Sequence, residues 1–94
     1  MIRMSKELKH IMTDLRTLLV NLKERQFQDS GRIEEDLREL AEQIPRWNDY
    51  TNKKQNELIE LLMSDGYYLQ EVDMSDIAES LRDLGERLKL NINR

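Results

Sequence analysis

Apolar residues recur at alternating steps of three and four along the first quarter of the chain. They are Met1, Met4, Leu8, Ile11, Leu15, Leu18 and Leu22, with Met12 and Leu19 widening the set. An α-helix turns once every 3.6 residues, so this spacing places all of them on one face. We therefore predict an amphipathic helix over about residues 4–27. The following Asp29-Ser30-Gly31 supplies a break and a candidate N-cap for the next helix.

A second stripe, Ile33, Leu37, Leu40, Ile44 and Trp47, predicts a helix over about 32–44, and the same spacing continues beyond Pro45 to predict a helix over about 46–64. Proline disfavours α geometry in the residue before it. The two segments are therefore either separate helices or one helix kinked at Pro45. Six polar residues, 51–56, predict a stretch without a core face, and Asp65-Gly66 predicts the helix end.

A linker over 67–72 leads to a last predicted helix, about 75–90, whose stripe is Ile77, Leu81, Leu84 and Leu88. Leu supplies 15 of the 25 Leu, Ile, Val and Phe residues, and Val only two, which favours helix over strand. We predict an all-α fold: a small antiparallel, coiled-coil-like bundle of three to four helices, forming a single domain over 1–94. No internal repeat of 20–50 residues is apparent.

Charge is distributed unevenly along the chain. Residues 1–28 carry six basic and three acidic side chains, whereas residues 29–94 carry nine basic and sixteen acidic ones. The basic first helix makes a nucleic-acid-associated regulator an alternative function. The excess of acid elsewhere opposes a polyanion, so this alternative is not favoured.

Nucleophilic catalysis has no support, because the chain has no Cys and its single His, His10, lies on a helix flank. Glu57-x-x-Glu60 and Asp76-x-x-Glu79, with Asp73 and Asp83, place acids one turn apart on two helices. Such pairs can bind Mg²⁺, and they resemble those of all-α nucleotide pyrophosphohydrolases of the MazG type. In that family the first motif is a longer Glu-Glu-x-x-Glu and the second ends in Asp. A carboxylate-dependent hydrolase is the third alternative; we expect no enzyme, cofactor or metal.

The favoured function is a non-enzymatic protein-interaction module, such as a regulator, adaptor, inhibitor or assembly factor, that docks through helix faces. Its candidate contact residues are four aromatic ones, Trp47, Tyr50, Tyr67 and Tyr68, and three acidic ones, Glu35, Glu39 and Glu42. The alternative for the aromatic residues is that they pack in the core. Apolar stripes on every helix predict a homodimer, with a closed monomer as the alternative. The absence of a signal-peptide core and of a long apolar run predicts a cytoplasmic protein that does not enter membranes.

Overall fold

A computed structural model describes residues 5–25, 28 and 30–92. The elements are, in order, α1 (Lys6–Arg25), α2 (Ser30–Gln43), a 3-10 helix (Ile44–Asp49), α3 (Asn52–Glu71) and α4 (Ser75–Ile92). The described residues contain no strand, which confirms the predicted all-α class. The chain divides into two compact units, Met1–Asp49 and Tyr50–Arg94. The single domain over 1–94 stays a prediction.

The first unit begins with a capped helix. The backbone N–H of Leu8 donates to the Ser5 hydroxyl at 3.1 Å, so Ser5 satisfies one of the free donors of the first turn. The predicted stripe from Leu8 to Leu22 is buried. Helix α2 packs against α1, and its Ile33, Leu37 and Leu40 are buried. The predicted stripe residues Met1 and Met4, the ends of the first predicted helix and the candidate cap Asp29 lie outside the described residues.

The chain around Pro45 is neither a kinked α-helix nor the start of a second one. Helix α2 ends at Gln43, and the next six residues form a 3-10 helix. Residues three apart eclipse one another in a 3-10 helix. This geometry keeps Ile44 and Trp47 on one side, where they are 0% and 1% exposed. The apolar stripe predicted across Pro45 therefore stays buried, although the helix changes from α to 3-10.

The third helix differs from the prediction at both ends. It starts at Asn52, because the Thr51 hydroxyl accepts a hydrogen bond from the Lys54 N–H at 3.2 Å and caps it there. One member of the polar stretch 51–56, Gln55, is buried. The predicted end at Asp65-Gly66 is wrong: the helix runs through the supposed linker to Glu71.

Helix α3 ends in a Schellman motif. The N–H of Met74 donates to the carbonyl of Leu69 at 2.9 Å, and the N–H of Asp73 donates to that of Gln70 at 3.3 Å. Asp73 has a φ of 64°, the left-handed conformation that this motif requires. The chain then reverses into α4.

Two buried glycines show how closely α3 and α4 pack. A β-carbon on Gly66 would lie 3.4 Å from the carbonyl oxygen of Ala78, and one on Gly85 would lie 2.7 Å from Cε of Met63. These contacts pair early residues of one helix with late residues of the other, so the two helices are antiparallel. Gly66 therefore serves helix packing instead of helix termination.

Both units are helical hairpins, and their second helices are alike in sequence. Residues 33–44 (IEEDLRELAEQI) and 77–88 (IAESLRDLGERL) are identical at six of twelve positions. The buried residues fall at the same places in both: Ile33, Leu37, Leu40 and Ile44 in one, Ile77, Leu81, Leu84 and Leu88 in the other. At twelve residues, this similarity is shorter than the repeats of 20–50 residues considered in the sequence analysis.

Candidate functional site

The three predicted acidic contact residues form one row on α2, which we call the α2 outer row: Glu35, Glu39 and Glu42. Steps of four and three residues place them on one helix face. All three are exposed, whereas Ile33, Leu37 and Leu40 on the opposite face are buried. Helix packing therefore holds the row toward solvent.

Few local contacts neutralise the α2 outer row. Gln43 Nε2 donates to Glu39 Oε1 at 3.0 Å, which orders that carboxylate without cancelling its charge. The nearby Arg38 forms an ion pair with Glu34 at 3.4 Å, outside the row. The helix as a whole carries five acidic and two basic side chains. The row can therefore attract a positively charged surface.

Helix α1 carries a row of the opposite sign, the α1 basic row: Lys9, Arg16 and Lys23. The three side chains are exposed and lie seven residues apart. Thr13 and Val20, both exposed, fall between them at steps of three and four, and Val20 is 53% exposed. This face is separate from the buried stripe of the same helix.

The predicted aromatic contact residues are not brought together as one surface. Trp47 is 1% exposed and is a core residue of the first unit. Core packing is the alternative that the sequence analysis gave for the aromatic residues. Tyr50 and Tyr68 are half-buried, and Tyr67, on α3, is 62% exposed. Of the four aromatics, Tyr67 offers the largest exposed fraction for contact.

A second acidic row, missed in the sequence analysis, lies on α4. Its members, Glu79, Asp83 and Glu86, are exposed and match the α2 outer row position by position. We call it the α4 outer row. It differs in one respect: Asp83 Oδ2 lies 3.6 Å from Nη1 of Arg87, so one of its charges is already paired. Aligning residues 33–44 with 77–88 is the signal that could have found it.

The paired acids of the hydrolase hypothesis do not converge. The antiparallel register places Glu57 and Glu60 near one end of the α3–α4 hairpin and Asp76 and Glu79 near the turn at the other end. Among the described residues there is no group of three or more His, Cys, Asp or Glu side chains able to hold a metal ion. His10 is exposed on α1.

Within the described part of the chain, no helix is both long enough and apolar enough to cross a membrane. Comparison of the chain with family models, with curated proteins and with solved structures finds no match in any of the three.

Proposed function

We propose that the protein is a non-enzymatic interaction module that binds another protein through the outer face of α2. The observation that supports this most is the α2 outer row: three exposed carboxylates on one face, with the opposite face buried. A rigid helix presents charges at fixed spacing, which favours recognition of a helix or strand carrying complementary charges.

Solvation alone would also place acids on an outer helix face. Two features favour recognition. Gln43 orders the Glu39 carboxylate without cancelling its charge, and the Arg38–Glu34 ion pair lies outside the row. The cores of the hairpins require Ile and Leu at the inward positions but nothing specific at the outward ones. As before, we expect the protein to act in the cytoplasm.

Charge reversal of the α2 outer row tests this function. In the α2-reversed variant, Glu35, Glu39 and Glu42 are replaced by Lys. The matched control, the α4-reversed variant, replaces Glu79, Asp83 and Glu86 by Lys and changes the net charge by the same amount. Wild type and both variants serve as baits in extracts of the native host, and bound proteins are quantified by mass spectrometry.

We expect proteins that bind the wild type and the α4-reversed variant but are lost from the α2-reversed variant. Equal binding to all three baits would contradict the proposal. Far-ultraviolet circular dichroism confirms beforehand that each bait is folded.

A nucleic-acid-associated function through the α1 basic row is the second candidate, since three exposed cations recur along that helix. A mobility-shift assay at low salt tests it. Replacing Lys9, Arg16 and Lys23 by Glu must abolish any shift if this candidate is right.

A further inference from the structure

The α1 basic row and the α2 outer row are complementary in charge and in spacing, and both lie on the first hairpin. Lys9 and Arg16 are seven residues apart, as are Glu35 and Glu42. Seven residues of α-helix span about 10 Å, so two pairs of opposite charge come into register together on adjacent helices. Glu39 lies between the two other glutamates, and Lys23 extends the α1 basic row by a further seven residues.

The two rows cannot meet within one hairpin, because α1 and α2 already face each other through their buried stripes. The rows lie on exposed faces. A surface that complements each row is therefore present in a second copy of the same chain.

We propose that the α1 basic row of one copy docks on the α2 outer row of a second copy, a head-to-tail contact between two different faces of the hairpin. This inference rests on the proposed function and names the partner of the α2 face. Rows with steps of three and four residues remain in contact over several turns when two helices cross at about 20°.

Val20 gives the docking face an apolar member. It is 53% exposed and lies between Arg16 and Lys23 on the helix surface. The aliphatic stem of Arg16 or Lys23 can cover Val20 while its charge reaches the partner.

The α4 outer row would bind the α1 basic row more weakly than the α2 outer row does, because Asp83 is already paired with Arg87.

The contact between copies must be sensitive to salt, since both rows are exposed. Between about 0.01 M and about 1 M salt, the Debye length falls from about 30 Å to about 3 Å. We expect the dissociation constant of this contact to rise at least tenfold over this range. A contact between apolar stripes would not weaken.

Charge-swap complementation tests the proposal in the full chain. The α1-reversed variant, with Glu at positions 9, 16 and 23, has two acidic rows, whereas the α2-reversed variant has two basic rows. Each should sediment at the monomer mass of 11.3 kDa. Their equimolar mixture should form species larger than the monomer, and a chain carrying both reversals should associate alone. The α4-reversed variant, changed in charge as much as the α2-reversed one, should associate like the wild type.

A wild type that stays monomeric at low salt, or a mixture that does not associate, overturns the proposal. So does a wild type that stays monomeric and binds nucleic acid through the α1 basic row. These outcomes leave the proposed function standing if the α2-reversed bait still loses proteins that the α4-reversed bait retains. The two failures are therefore distinguishable.

Discussion

The end of the Met63 side chain occupies the space where a side chain on Gly85 would begin. A β-carbon on Gly85 would lie 2.7 Å from Met63 Cε and 3.5 Å from its sulfur. Gly85 thus forms a notch on α4 that Met63 of α3 fills. Methionine is flexible enough to adapt to such a notch, and its side chain is half-buried here.

Replacing Gly85 by Ala should have a background-dependent effect. Alanine favours helix over glycine by about 1 kcal/mol, but its methyl group displaces Met63. We expect Gly85→Ala to stabilise a Met63→Ala protein by about 1 kcal/mol and the wild type by less. Urea denaturation of the four proteins of this double-mutant cycle measures the difference. Equal effects in both backgrounds would show that Met63 does not fill the notch.

Gly66 faces backbone, so a larger residue there should be costly. A β-carbon already meets the Ala78 carbonyl oxygen at 3.4 Å and Cγ of Arg82 at 3.3 Å. We expect Gly66→Val to lower the free energy of unfolding by about 1–3 kcal/mol through overpacking. Gly31, which has nothing within 4 Å of its β position, is the control: Gly31→Val should cost less than 1 kcal/mol. A Gly66→Val cost no larger than that would refute the close packing of α3 and α4.

The left-handed Asp73 predicts a stabilising substitution. A non-glycine residue at φ 64° carries a conformational cost that glycine avoids. We expect Asp73→Gly to raise the free energy of unfolding by about 1 kcal/mol, measured by thermal denaturation. Val72→Gly, one residue earlier at φ −95°, should instead destabilise the protein. A destabilised Asp73→Gly protein would mean that the turn adopts another conformation.

Replacement by alanine distinguishes the buried Trp47 from the exposed Tyr67 by its effect on stability. Trp47→Ala should cost about 3–5 kcal/mol because it empties a buried site, whereas Tyr67→Ala should change stability by less than about 0.5 kcal/mol. Urea denaturation of both proteins is monitored by far-ultraviolet circular dichroism. Trp47 is the only tryptophan, so the Trp47→Ala protein has no tryptophan fluorescence to follow. A Trp47→Ala protein as stable as the wild type would place this residue at a contact surface after all.

Apolar spacing alone was sufficient to predict the helices whose stripes are uninterrupted. Helices α1 and α4 lie within a few residues of the predicted ranges, and Gly85 inside α4 lies against Met63 and Ile59 of α3. The end of α3 could not be predicted in this way. Gly66 has the local character of a helix stop, and only the position of Ala78 on the other helix shows that it is a packing residue.

The candidate site was predicted in part. Glu35, Glu39 and Glu42 were found because acids are dense in that segment, and they do form one exposed row. Trp47 could not be assigned to core or surface, because that depends on the 3-10 geometry after Pro45. The α4 outer row was missed because no two acids of α4 are adjacent, unlike Glu34-Glu35-Asp36 of α2, and only comparison of the two helices makes the match evident.

The amide spectrum of isotopically labelled protein, recorded at low salt over a range of protein concentrations, tests docking of the α1 basic row on the α2 outer row of a second copy most directly. We predict concentration-dependent shifts at Glu35, Glu39 and Glu42 and along the α1 basic row, with none along the α4 outer row. Shifts confined to α4, or none at any concentration, would contradict this docking between copies.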